Sequence, residues 1–219
     1  MEPEPPWLAE VAGDVHGRLV HGRRVARLAA VIAPLLEPGW TVLDVGCGDG
    51  RLGRLLADGV EGVRVRGLES HVRPLTFVPV AAYDGRRLPV GDAAVDAVVL
   101  VDVLHHARDP MVLLAEARRV ARRAVVIKDH RTSRPLAGPL LRFMDWVGNR
   151  SHGVALPYGY WSEDRWRAAW REVGLRTERY ETRLRLYPWV ARWAFDWGLH
   201  FVARLGTDSG GQQSSSLSE

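Results

Sequence analysis

With 219 residues, 47% of them hydrophobic and 26% charged, the chain has enough apolar material for one core of ordinary size, and its single cysteine, Cys47, excludes an intrachain disulfide framework. The formal charge of +4 and pI near 9.7 permit an anionic partner, but the arginines are scattered, so nucleic acid is permitted and not indicated. No apolar run is long enough to span a bilayer, and the start MEPEPPWLAE is acidic and proline-rich where a secretory signal is basic and then apolar; the expected location is cytoplasmic.

The first 15 residues read as a tail and lead-in, and residues 206–219 as a polar tail too poor in large apolar groups to offset the entropy of ordering. Residues 16–205 between them read as one domain. LVHGRRVARLAAVIAPLLE has helical apolar spacing and ends before PG, where the strand TVLDVG begins. There follow GRLGRLLADG as a helix, RVRGLES as a strand, VPVAAYDG as a short strand and AVDAVVLVDVL as a strand. DPMVLLAEARRVARR then reads as a helix with a cationic last turn, and AVVIKDH as a strand. After residue 130 come a helix, an aromatic loop, a helix capped by Ser162, the strand LRTERYETRLRL, an inserted helix PWVARWAFDW and a last strand LHFVARL. DAVVLV and AVVI are apolar throughout, as strands buried on both faces are. The expected fold is α/β and doubly wound: a mostly parallel seven-stranded sheet, helices on both faces, and an aromatic lid inserted after the fifth strand over residues 131–161.

In such sheets ligands bind beyond the carboxyl ends of the strands. The first end reads VLDVGCGDG: Gly46, Gly48 and Gly50 allow a tight turn and close approach to the backbone, and Asp44 sets a carboxylate beside it. The spacing D-x-G-x-G-x-G departs from the G-x-G-x-x-G of a dinucleotide site, and a carboxylate there suits an ammonium better than a pyrophosphate. Glu69 closes the second strand roughly 20 residues past the glycine loop, about where an acid can grip the hydroxyls of a ribose. In YDG, Asp84 can accept from an adenine amino group while the Gly85 backbone donates to the ring. S-adenosylmethionine carries all three groups: an ammonium, a ribose and an adenine.

These motifs, with YDGRRLPVGDAAVDAVVLVDVLHHARDPMVLLAEARRV, resemble the class I, Rossmann-like S-adenosylmethionine-dependent methyltransferases. The likeness is to the small-molecule branch similar to the ubiquinone and menaquinone C-methyltransferases (methyltransferase type 11), over roughly residues 20–130. The resemblance implies that Asp44, Gly46 and Gly48 hold the methionine moiety, Glu69 the ribose, and Asp84 with Gly85 the adenine. It also implies that Asp102 faces the methionine part near the reactive methyl, and Cys47 and His106 complete the expected cofactor set. One departure is visible: the family commonly has a glycine pair before the fifth strand, where this chain has ARRAVVI.

Lys128 is the only lysine among 30 basic residues, and it stands at the end of the fifth strand. An ion pair with the adjacent Asp129 is one reading. The other is chemical, because a compact ammonium can meet an anion or titrate where a guanidinium cannot. The expected catalytic set is Lys128, His105, Asp129 and His130, with Lys128 and His130 on one side of the strand and Asp129 on the other. Trp146, Asn149, Tyr158, Tyr160 and Trp161 form the expected substrate set in the aromatic segment. No Cys/His spacing suits a structural zinc site, and no metal ligand is assigned. Trp189, Trp193 and Trp197 form a stripe read as core, with weak contact to a membrane surface as the alternative. The expected activity is methylation of a small, partly hydrophobic metabolite with an ionisable or anionic group. The alternatives are a noncatalytic S-adenosylmethionine-binding protein, an RNA methyltransferase and a nicotinamide-dependent reductase.

Overall fold

The computed structural model describes residues 22–132, 159–186 and 198–207. Helix α1 covers 22–32 and continues as a 3-10 turn, Ala33–Leu35, where Pro34 interrupts the helical hydrogen bonds. Strand β1 (Thr41–Val45), helix α2 (Arg51–Gly59), strands β2 (Arg64–Glu69) and β3 (Val80–Ala82), and strand β4 (Val95–Val101) follow. A 3-10 turn Leu104–His106, helix α3 (Pro110–Val120) and strand β5 (Ala121–His130) complete the parallel part, and helix α4 (Glu163–Glu172), β6 (Leu175–Glu181) and β7 (His200–Thr207) close the order. The expected inserted helix and the stripe of Trp189, Trp193 and Trp197 lie outside the described residues, as do the two tails.

The seven strands stand in the order β3-β2-β1-β4-β5-β7-β6. β1 pairs in parallel with β2 and β4, and β4 with β5, whereas β7 runs antiparallel to both β5 and β6. The strand order reverses between β1 and β4, so the carboxyl ends of those two strands open onto one crevice.

Alternation along the strands builds two cores. Leu43, Val45, Val98, Leu100, Val125 and Ile127 face Leu113 and Leu114 of α3 and Trp166 and Trp170 of α4. Val42, Ala97, Val99, Ala124 and Val126 face Val25, Leu28 and Ile32 of α1 and Leu52 and Leu56 of α2. The apolar runs in β4 and β5 therefore do bury both faces. Two helix starts carry side-chain caps: Asp109 accepts from the Val112 amide ahead of Pro110, and Ser162 accepts from the Arg165 amide.

Two element boundaries depart from the sequence expectation. β4 stops at Val101 instead of running through Leu104, because Asp102 takes the left-handed conformation (φ 57°) and turns the chain away. The helix over DPMVLLAEARRVARR ends at Val120, and Ala121 starts β5 with extended backbone. Only Arg118 and Arg119 thus sit in the last turn, while Arg122 and Arg123 lie on the strand, 3.6 and 3.3 Å from Asp96.

Candidate functional site

The loop between β1 and α2 is tied to the end of β2: the Gly46 and Cys47 amides donate to the Leu68 carbonyl at 2.7 and 3.2 Å, and the Gly48 amide donates to Glu69 Oε2 at 2.8 Å. Gly46 and Gly48 have φ of 70° and 60°, which a side chain rarely adopts. Close approach is needed at Gly67 of β2 as well, where an added Cβ would stand 2.4 Å from Cys47 Sγ. A Cβ at Gly48 would instead meet only Arg73 Nη2, at 4.0 Å, and one at Gly85 would meet nothing within 4 Å. Both backbones are open to a ligand.

Asp44 lies at the carboxyl end of β1, 2% exposed, and its Oδ2 is buried without a hydrogen-bond partner. Burial, reinforced by the nearby Glu69 carboxylate, pushes its pKa up to about 7. The same causes, burial first and then the charges of Asp44 and Glu69, push the Cys47 thiol up to about 12, so it is no nucleophile. Asp84 is fully exposed and accepts from the Arg86 and Arg87 amides through Oδ1 at 2.8 Å each, which lowers its pKa and fixes the loop. It borders an open depression of about 590 Å³ lined by Tyr83, Leu88, Pro89 and Val90.

Across the crevice, the ends of β4 and β5 gather the other charges. Lys128, with no exposed surface, donates from Nζ to Asp102 Oδ1 at 2.5 Å, and Arg24 of α1 donates to Asp102 Oδ2 at 2.7 Å. Lys128 therefore pairs with Asp102 and not with its neighbour Asp129, as alternation along the strand requires. Its Nζ also lies 3.4 Å from His200 Nδ1, in β7. Burial works against ionisation of Asp102, but the Lys128 and Arg24 charges overcome it and hold that carboxyl well below its usual range. Burial lowers the pKa of Lys128, with Asp102 opposing.

Asp129 points to the other side, and its Oδ1 meets His105 Nδ1 at 2.6 Å with both side chains buried. Burial would raise Asp129; the charge and hydrogen bond of His105 override it and lower its pKa. His130 and His200 are pushed below the usual imidazole range, first by burial and then by the Lys128 charge. The His105 ring stacks 5.6 Å from Tyr160, and the His106 ring lies tilted 3.9 Å from it. The Trp166 indole donates to the His130 carbonyl at 2.9 Å, anchoring the end of β5 to α4.

The structure thus brings Asp44, Gly46, Cys47, Gly48 and Glu69 together at β1 and β2, and Asp102, His105, His106, Lys128, Asp129, His130 and Tyr160 together at β4 and β5. Asp84 and Gly85 follow β3. Trp161 packs 4.7 Å from Trp166, against the core. Trp146, Asn149 and Tyr158 lie outside the described residues. Arg24 and His200, absent from the sequence-derived set, join the charge cluster.

A family defined as a methyltransferase domain matches residues 43–127, a shorter span than the sequence resemblance suggests. Over that span the chain is similar to a methyltransferase domain. An uncharacterized 37.1 kDa protein in transposon TN4556 of Streptomyces fradiae is 38% identical over 97 residues, 39% of this chain and 28% of that protein. The chain therefore spans little more than a quarter of the curated relative it matches. A chain of the complex between the Haloferax volcanii Trm112 methyltransferase activator and a methyltransferase shares the fold at 19% identity, covering 90% of this chain and 96% of that one, with a TM-score of 0.62. So does an S-adenosylmethionine-dependent methyltransferase from Aquifex aeolicus: 20% identity, 81% and 87% coverage, TM-score 0.56.

The residues at this site suit S-adenosylmethionine, the cofactor that the sequence motifs lead one to expect. A buried carboxylate oxygen with no partner is what an ammonium needs, and the open backbones at Gly48 and Gly85 let a nucleoside lie against the loops. Among the described residues no helix is long and apolar enough to cross a membrane.

Two predictions follow from this geometry. Because the folded pKa of Asp44 is about 7 and its ordinary value 3.8, the folded state binds more protons between them, so this group makes ligand-free stability fall as pH rises from about 4 to 7. Asp44→Asn should flatten that decline, melt roughly 2–4 °C above the parent at pH 8 for a gain of about 1 kcal/mol, and weaken cofactor binding roughly 10- to 100-fold through loss of a charge-assisted contact. Thermal melts across pH with calorimetry check both. Lys128→Arg retains the charge but inserts a longer, planar head into a site with no exposed surface, so it should cost about 1–3 kcal/mol of stability. An unchanged melting temperature would contradict it.

Proposed function

We propose that the domain transfers a methyl group from S-adenosylmethionine to a small, partly hydrophobic metabolite bearing an ionisable or anionic group. The observation that carries the acceptor side of this reading is the buried His105–Asp129 pair, 2.6 Å apart, at the strand ends where the acceptor must lie. Asp129 accepts a hydrogen bond from His105 Nδ1–H, which leaves Nε2 as the basic nitrogen and fixes the ring plane. A group so held can draw the proton from an acceptor hydroxyl, amine or acid as its lone pair is committed to the new bond.

When bound, the cofactor supplies a methyl group already activated by a sulfonium. Asp44 meets the cofactor's ammonium, Glu69 its ribose, and Asp84 with Gly85 its adenine; Cys47 and His106 line the same crevice. Asp102 faces the methionine part, its position set by Lys128 and Arg24. Tyr160 stacks over His105 and offers a flat wall to a planar acceptor. In this reading residues 131–161 form the substrate segment, and Trp146, Asn149, Tyr158 and Trp161 join Tyr160 in the substrate set.

The test is methyl transfer from labelled cofactor to fractionated small metabolites, with the product identified by mass spectrometry. His105→Gln should lower single-turnover methyl transfer by on the order of 100-fold or more, and leave cofactor affinity within about twofold. No labelled product across the fractions, or full turnover in the variant, would overturn the reading.

A further inference from the structure

Four side chains of metal-binding type meet at the ends of β4 and β5: Asp102, His105, Asp129 and His130 each place a donor atom within 4.8 Å of the others. Sequence spacing hides the group, since the residues come as two pairs, one just after β4 and one at the end of β5. Hydrogen bonding does not account for all of it. His130 Nδ1 is buried 3.5 Å from Asp129 Oδ1 and 3.6 Å from Asp102 Oδ1, beyond normal hydrogen-bond length, and it has no hydrogen-bond partner. Asp129 Oδ2 is buried without a partner too, although the residue is 1% exposed. Such separations resemble those between two ligands of one ion, which stand roughly 3.4 Å apart when each bond is about 2.1 Å long and the geometry tetrahedral.

We propose that Asp102, Asp129 and His130 hold one divalent transition-metal ion, and that a hydroxyl-bearing acceptor docks on it. Three protein ligands leave a coordination position open, the arrangement of a site that receives a substrate. One imidazole with two carboxylates is a borderline donor set, suited to Zn²⁺ or Mn²⁺ ahead of Ca²⁺, which prefers a cage of oxygens. His105 sits outside the coordination sphere, where its Nδ1–H donates to Asp129 Oδ1 and orients that carboxylate. The ion orients the acceptor oxygen and makes its proton easier to remove, beside the basic nitrogen of His105. The proposal rests on the methyltransferase reading for the nature of the acceptor, but the ion site itself stands apart from it.

The charges around the site give the test two signs. Lys128 Nζ lies 2.5 Å from Asp102 Oδ1 and Arg24 Nη2 lies 2.7 Å from Oδ2, so both cations compete with an ion for this carboxylate. His200 Nδ1, 3.4 Å from Lys128 Nζ, adds no carboxylate to offset them. Removing a ligand should weaken the ion, whereas removing the ammonium should strengthen it.

The full chain, stripped of metal by a chelator, is titrated by calorimetry with Zn²⁺ and separately with Mn²⁺, and cofactor binding is measured on the same samples. The expected result is one ion per chain, bound about 100-fold more weakly by Asp129→Asn and by His130→Ala, and about tenfold more tightly by Lys128→Met. Cofactor binding that persists while the ion fails to bind would sink this site and leave the methyltransferase reading standing; loss of cofactor binding alone would do the reverse. Should a variant fail to fold, Mn²⁺ added to the unaltered chain should broaden the ring signals of His130 and His105 before those of the exposed His71. No bound ion, an affinity indifferent to Asp129→Asn and His130→Ala, or broadening centred on His71 would overturn it.

Discussion

A carboxylate taken out of water must find a cation, a donor or a proton, and the carboxyl rim of this sheet shows all three solutions. Asp102 is held by Lys128 and Arg24. Asp129 is held by His105. Asp44 has a buried oxygen with neither, so it rises toward neutrality. Contrast the opposite rim, where Asp96 accepts from both the amide and the hydroxyl of Thr41 and stays below its usual pKa. The difference sets Asp44 apart: Asp96 is satisfied by Thr41 of the neighbouring strand, whereas one buried oxygen of Asp44 is not satisfied.

The lone lysine belongs to the same account. The exposed cations of the described residues are arginines, but Lys128, between Asp102 and His200, has no exposed surface. A compact ammonium fits there and a planar guanidinium does not. Arg24, which reaches the same carboxylate from α1, is partly exposed, with 40% of its side chain open, and has room for its fork. Two cations of different shape thus share one anion, each where its shape is tolerated, and the pair joins α1 to the ends of β4 and β5.

Local features were legible in the sequence because their physics is local. Gly46, Gly48 and Gly50 announce a left-handed turn, Asp109 and Ser162 announce helix starts, and the apolar runs of β4 and β5 announce strands buried on both faces. The reversal of the chain at Asp102 was not legible, since an aspartate is only an occasional left-handed residue and VLVDVL reads as an unbroken strand. Partners were harder still. Asp102 meets Arg24 across 78 positions and Lys128 meets His200 across 72, and no periodicity links residues that only the sheet order brings together. The adjacent Asp129 looked like the natural partner for Lys128, but strand alternation sends the two to opposite faces.

The proposal that the cofactor's ammonium completes Asp44 can be tested directly as a proton count. With its pKa near 7, the group is about half protonated in the ligand-free chain at pH 7, and a bound cation must drive that proton off. Calorimetric titration of S-adenosylmethionine at pH 7 in buffers of different ionisation enthalpy should therefore show release of about half a proton per cofactor bound. The release should fade above about pH 8.5 and be absent in Asp44→Asn. Binding at pH 7 with the same heat in every buffer would contradict the account.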